Sequence, residues 1–229
     1  MKKFTEPPFW EDKLTNEPIF KSLVDNFDVI EHELLRLYKI GRFVKLFVKY
    51  PVQKKDLKIK KTDWWFIEES TRWNLAPIFG AKHDVNIYQR IGKLRVLGYE
   101  LLAFVVRTLC PKTTNLLRDY FHDAIILNSS VNVIYPNSEI KPHKHPILNH
   151  KHRMNYHLCI TDDQDALLTV GYETKSWKRG EILAFKNSGP YRHSVAHRGK
   201  NTRIILMLEL DVDYLNSYGV FRGVRISDG

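Results

Sequence analysis

The segment Thr202 to Leu210 reads Thr-Arg-Ile-Ile-Leu-Met-Leu-Glu-Leu. As a strand it alternates sides, so Arg203, Ile205 and Met207 share one face while Ile204, Leu206, Leu208 and Leu210 share the other. Both faces are apolar, so the strand must be covered on both sides. One cover is available near the start of the chain. Phe20, Leu23, Val24, Phe27, Ile30, Leu34 and Leu37 recur at helical spacing and form one apolar stripe. Asn16 and Pro18 predict the start of that helix, a capping side chain followed by proline in the first turn. Gly41 is expected to end or bend it.

From Ala124 the apolar period changes to two, with Ile125, Leu127, Val131 and Val133 alternating with smaller or polar residues. Pro136-Asn137-Ser138 predicts a tight turn. Many short strands joined by turns, with no alternation of strand and helix, predict a sandwich or barrel. The expected class is mainly β with α: a double-stranded β-helix, or jelly roll, buttressed by N-terminal helices. Upstream, Phe43 to Tyr50 fits strand or helix and Pro51 stops it. Trp64, Trp65, Phe66, Trp73 and Phe79 predict an aromatic-rich buried region. Leu101 to Leu109 predicts a buried apolar segment, and Thr113 or Thr114 a cap for a short helix Asn115 to Phe121; residues 81–100 give no assignment. With no internal repeat or low-complexity linker, one domain is expected over 1–229. Residues 1–123 would form a helical and mixed support, 124–212 the core with the site, and 213–229 a tail.

The net charge is +10, and Lys54 to Lys61 carries five lysines. A basic patch can attract nucleic acid or acidic protein, but no recognition motif accompanies this one, so nucleic-acid binding is not favoured over a solvated loop. Cys110 and Cys159 make no disulfide framework, and the N-terminus lacks the apolar stretch of a secretory signal. The longest apolar run, Leu101 to Val106, is too short to span a membrane. A cytoplasmic protein is therefore expected; the sequence is silent on oligomeric state.

The chemistry concentrates in 132–210. His143 and His145 stand two apart, His193 follows fifty residues after His143, and Arg203 lies ten beyond His193. His143 and His145 can face the same way from one strand end. With a distant third imidazole they would make a three-cornered face on a metal, leaving positions open for cosubstrate and oxygen. A buried arginine is costly unless it meets an anion, and its planar fork suits a carboxylate. Against this, five of the ten histidines (143, 145, 150, 152, 157) fall within fifteen residues, and such tracts can bind metal adventitiously at a surface.

At these residues a resemblance becomes specific. The run Asn132-Val-Ile-Tyr-Pro136-Asn-Ser-Glu-Ile140-Lys-Pro142-His143, the run Glu173 to Phe185 with Trp177 and Gly180, and His193-Ser-Val followed by Arg203 resemble the aspartyl/asparaginyl β-hydroxylase family. Cys110-Pro111-Lys-Thr113 with Leu116-Leu117, and the helix Phe20 to Leu35, are more weakly similar. The resemblance implies a cupin-like jelly roll and an Fe(II)- and 2-oxoglutarate-dependent dioxygenase, with O2 as co-reactant. It implies iron on His143 and His193, and Arg203 on the far carboxylate of 2-oxoglutarate. His157 and Asn132 would contact the same cosubstrate, and Arg153 the substrate. His145 departs from the family, where many members have Asp and animal members Gly. Here it is either a third ligand or a neighbour of the metal. Asn155 replaces a second arginine, and the loop Pro146 to His152 is longer than in the animal enzymes. The membrane anchor of those enzymes is also missing from the pattern. The implied substrate is an Asp or Asn residue in a protein, or an amino-acid-like small acid. Two other readings stay open: a three-histidine metal dioxygenase that does not use 2-oxoglutarate, and a non-catalytic binding module.

Overall fold

The structure is a computed structural model that describes residues 6–15, 17–44, 46–49, 73–80, 93–122, 125–143, 152–187, 190–217 and 219. In chain order the elements are α1 (Glu11–Leu14), α2 (Pro18–Asp25), α3 (Phe27–Val44), β1 (Val48–Lys49), β2 (Trp73–Phe79), α4 (Lys93–Leu109) and α5 (Pro111–His122). The strands β3 (Ile126–Ile134), β4 (Ser138–His143), β5 (Arg153–Cys159), β6 (Asp163–Val170), β7 (Glu173–Trp177), β8 (Ile182–Lys186), β9 (His193–His197) and β10 (Arg203–Asp211) follow, and α6 (Val212–Ser217) closes the series.

The strands form two sheets, ordered β1-β2-β3-β10-β5-β8 and β4-β9-β6-β7. Every pairing is antiparallel. The chain passes from β3 to β4 to β5 to β6 by changing sheet each time, makes the β6–β7 hairpin, then returns through β8, β9 and β10. Two sheets wound in this way are a double-stranded β-helix, the expected class. The turn into β4 has Asn137 at φ 58° and the Ser138 hydroxyl donating to the Tyr135 carbonyl at 2.6 Å. A short polar side chain tolerates that left-handed conformation.

β10 is covered on both faces. Ile204, Leu206, Leu208 and Leu210 are buried in one cluster with Ile19, Phe20, Leu23, Ile30, Leu34 and Leu37 of the helices. Ile205 and Met207 are buried in a second cluster between the sheets, with Ile134, Cys159, Leu168, Trp177 and Phe185. At roughly 25 cal/mol per Å² of buried apolar surface, such two-sided burial is the main force positioning the central strand.

Several local expectations change. The predicted single helix over the Pro18 stripe is two helices, broken at Asn26, whose side-chain amide donates to the Ser22 carbonyl at 2.9 Å. Asn16 lies outside the described residues, and Glu17 occupies the cap position of α2 without a side-chain cap bond. Gly41 does not end α3, which runs on to Val44. Its role is close approach, because a Cβ there would stand 2.5 Å from the Phe47 ring. The apolar run Leu101 to Leu109 is the second half of α4 rather than a buried segment: Ala103 and Val106 are buried, but Leu101 and Phe104 are 64% and 60% exposed. The helix predicted over Asn115 to Phe121 starts earlier, at Pro111, and neither Thr113 nor Thr114 caps it. Instead the buried Glu33 carboxylate of α3 accepts the Lys112 and Thr113 backbone N–H groups, at 3.0 and 2.8 Å, and the Thr113 hydroxyl at 2.7 Å. A carboxylate in that place satisfies orphan donors and meets the positive end of the helix.

The start of the described chain is part of the body. Trp10 N–H donates to the Ala184 carbonyl at 2.8 Å, and Phe9 packs edge-on against Phe185. Glu6 and Lys186, each with only 2% of its side chain exposed, pair at 3.4 Å. No helix among the described residues is long and apolar enough to cross a membrane.

Candidate active site

The site is built on the inner faces of the two sheets. His143 ends β4 and His193 begins β9, and their Cα atoms are register partners. Fifty residues of separation in the chain thus become a cross-strand pair. The two rings lie 4.2 Å apart between centroids, tilted by 56°, and both residues are buried. His143 Nδ1–H donates to the Lys141 carbonyl at 2.8 Å. That fixes the tautomer and leaves Nε2 with its lone pair, the arrangement expected of a metal-ligating imidazole. Burial, with the Arg192 guanidinium as a lesser cause, pushes the His143 pKa down and favours the neutral ring a metal requires.

His157, on β5, is buried beside this pair. Its Nδ1 accepts a long hydrogen bond, 3.4 Å, from the Trp177 indole N–H. The proton of the neutral ring therefore sits on Nε2, which makes that nitrogen a donor. Burial, then the charge of Arg203, drives the His157 pKa well below its ordinary value. Arg203 starts β10 at 2% exposure, its guanidinium carbon 3.9 Å from the Trp177 ring centroid. Trp177 is fully buried, with His157 stacked near-parallel at 6.2 Å and Arg203 over its ring. One indole thus orients both groups assigned by resemblance to the cosubstrate.

Asn132, on β3, is fully buried and its Oδ1 accepts from Trp73 Nε1 at 3.1 Å. Its Nδ2 has no hydrogen-bond partner among the described residues, so a donor remains available on the inner face. Asn132 pairs in register with Ile205, and Ile205 with Cys159, which sets it on the same face as Arg203 and His157. Arg153, at the start of β5, donates through Nη1 to Glu209 Oε1 at 3.2 Å. His145 and the loop from 144 to 151 lie outside the described residues, as do Trp64, Trp65, Phe66 and the lysines of 54–61. Among the described residues no group of three His, Cys, Asp or Glu stands ready for a metal.

Two residues that stand in the site, Trp177 and Phe185, received no role at it in the sequence reading. Phe185 lies 4.9 Å from the His193 ring and 5.5 Å from the His157 ring. Its ring thus contacts an imidazole of the cross-strand pair and the imidazole of the adjoining sheet. The available signal was positional: Trp177 and Phe185 are large aromatics on short strands that end beside the site.

Described this way, the molecule is a double-stranded β-helix protein with a paired-histidine centre between its sheets and a buried guanidinium on the adjoining floor. The family model for aspartyl/asparaginyl beta-hydroxylase matches residues 24–212. The chain belongs to that family, one of dioxygenase-type hydroxylases. Among proteins of curated function none matches. Solved structures similar to part of the chain include a predicted oxalate decarboxylase from Thermotoga maritima, 13% identical, with a TM-score of 0.32, covering 42% of this chain and 74% of that one. A Cupin 2 conserved barrel domain protein from Salinispora arenicola is also 13% identical, with a TM-score of 0.29, covering 40% and 69%.

Proposed function

We propose that this chain is an Fe(II)- and 2-oxoglutarate-dependent hydroxylase of an unactivated C–H bond. Its substrate would be an Asp or Asn residue of a protein, or a small acid that resembles one. The observation that carries the reading is the Trp177 platform. It holds the Arg203 guanidinium and the His157 imidazole as neighbouring donors on the floor of the chamber in which His143 and His193 meet.

The residues present fit the cofactor. His143 and His193 would hold the metal through neutral imidazoles, and His145 is the proposed third ligand. Arg203 would take the far carboxylate of 2-oxoglutarate as a bidentate, charge-assisted pair. His157 Nε2–H and Asn132 Nδ2–H would add neutral donors. Fe(II) with 2-oxoglutarate and O2, when bound, supplies C–H hydroxylation coupled to decarboxylation of the cosubstrate. The protein's share is to orient the cosubstrate, keep the imidazoles unprotonated and exclude water. The apolar lining of Phe185, Leu168, Val195 and Met207 serves the last of these.

The test is iron-dependent conversion of 2-oxoglutarate to succinate, stimulated by substrate. We expect the turnover to vanish in His193→Ala and in Arg203→Ala. Full turnover in Arg203→Ala would remove the cosubstrate role, and oxygen uptake without 2-oxoglutarate would favour a three-histidine dioxygenase of another kind.

A further inference from the structure

Residues 6–10 bridge the two sheets beside the paired histidines. β8 is an edge of the six-stranded sheet, and Trp10 N–H covers part of that edge by donating to the Ala184 carbonyl at 2.8 Å. Phe9, 6% exposed, is buried in the cluster between the sheets. Its ring meets Phe185 edge-on at 6.5 Å between centroids, and Phe185 lies 4.9 Å from the His193 ring. Lys175 Nζ, from β7 of the other sheet, stands 4.5 Å from the Phe9 ring centroid. The Glu6–Lys186 pair anchors the same segment to the end of β8.

A second contact reaches the chain just ahead of His193. The Glu6 carbonyl accepts from the Tyr191 hydroxyl at 2.8 Å. Tyr191 stands two residues before His193 and is 8% exposed. Its ring fills the space a side chain at Gly171 would need, since a Cβ there would lie 2.6 Å from Tyr191 Cδ1. Gly171 has φ 60°, a conformation that glycine adopts without steric cost. Its N–H donates to the Arg192 carbonyl at 2.8 Å, and its neighbour Val170 is the register partner of His193. The approach to His193 is therefore held by the β6–β7 turn on one side and by Glu6 on the other.

His193 is the first residue of β9. Strand ends open locally at little cost in free energy, whereas a ligand must be held to within about 0.5 Å. From this juxtaposition we infer that Tyr191 and Phe9 are positioning residues for His193. The amino-terminal segment fixes the start of β9 through the Tyr191 hydroxyl and backs the imidazole through Phe9 and Phe185. Both residues act through His193 rather than on the reacting atoms. The inference rests on the hydroxylase reading given above, in which His193 ligates the metal.

The experiment is calorimetric titration of the full chain with Zn(II), the site's affinity being that of the binding event His193→Ala abolishes. Tyr191→Phe keeps the ring against Gly171 and removes only the donor. We expect its Zn(II) affinity to fall about three- to tenfold, the worth of one neutral hydrogen bond. Phe9→Ala should lower it about tenfold or more, and Phe9→Leu, which refills the space, should recover most of that. In Tyr191→Phe saturated with Zn(II), 2-oxoglutarate affinity should stay within about twofold of wild type, because Arg203 and His157 stand on β10 and β5 of the other sheet. Glu33→Ala, destabilised at a helix start outside the site, is the control and should bind Zn(II) within about twofold of wild type. Wild-type Zn(II) affinity in Tyr191→Phe or in Phe9→Ala would overturn the inference for that residue. Equal losses in Glu33→Ala, or an equal loss of 2-oxoglutarate affinity in Tyr191→Phe, would overturn it by making the effect a general loosening. A wild type with no Zn(II) binding sensitive to His193→Ala contradicts the metal reading itself, which is a separate failure.

Discussion

Arg203 lies over the face of Trp177, its guanidinium carbon 3.9 Å from the ring centroid, with both residues buried. A desolvated cation over an indole gains about 2 kcal/mol, and the contact holds the guanidinium plane where a carboxylate can approach its edge. Arg203→Lys keeps the charge but loses the fork. We expect 2-oxoglutarate to bind on the order of a hundredfold more weakly, because a point charge does not replace a bidentate pair. Trp177→Phe removes the indole N–H that fixes the His157 tautomer and should weaken cosubstrate binding about tenfold. Calorimetric titration with 2-oxoglutarate measures both. Unchanged affinity in Arg203→Lys would detach the arginine from the cosubstrate.

The Glu6–Lys186 pair is almost fully buried, so it acts as a unit. Glu6→Gln alone removes the carboxylate that faces a buried ammonium and should destabilise the fold by about 3–5 kcal/mol. The double variant Glu6→Gln with Lys186→Met should recover most of that loss. Urea unfolding of the two variants side by side checks the coupling, and equal losses would show the pair to be independent.

Glu33 caps α5 from a different helix, with three hydrogen bonds of 2.7–3.0 Å. Glu33→Ala strands two backbone donors near a buried helix start and should cost about 2–3 kcal/mol. Glu33→Gln retains one acceptor and should cost about half as much. Chemical denaturation separates them; a loss below about 0.5 kcal/mol for Glu33→Ala would reduce the contact to a surface one.

Asp213, in α6, accepts from the His152 backbone N–H at 3.1 Å and pairs with its Nδ1 at 2.9 Å. Burial pushes the Asp213 carboxyl up, but the hydrogen bonds and charge of His152 outweigh it and hold the pKa below its ordinary value. A carboxyl depressed on folding stabilises the protein above its unfolded pKa, about 3.9, and the contribution fades as pH falls through the lower folded value. Stability of the wild type should therefore fall more steeply on acidification below about pH 4 than that of Asp213→Asn. Thermal unfolding from pH 6 to pH 3 compares them, and parallel curves would assign the contact no role.

The features legible in the sequence were those written into local pattern. Ile204, Leu206, Leu208 and Leu210 announced a strand buried on both faces, and the helical stripe from Phe20 to Leu37 supplied its outer cover. The pairing of His143 with His193 was legible through the family resemblance, since fifty residues of chain leave no local trace of register. Partners set by tertiary register were not legible. Glu33 meets Thr113 across eighty positions, and Arg153 meets Glu209 across fifty-six. The solvent face of α4 was hidden for another reason. Leu101 to Val106 is apolar all the way round a helical turn, so periodicity could not separate the buried Ala103 and Val106 from the exposed Leu101 and Phe104.

The convergence of His143, His193 and Arg203 on one bound cosubstrate is tested most directly by a crystal structure grown without oxygen and soaked with Mn(II) and 2-oxoglutarate. We expect one metal ion ligated by Nε2 of His143 and a nitrogen of His193, with the cosubstrate chelated to it and its far carboxylate forked onto Arg203. Metal bound elsewhere among the histidines, or 2-oxoglutarate seated away from Arg203, would contradict the assignment.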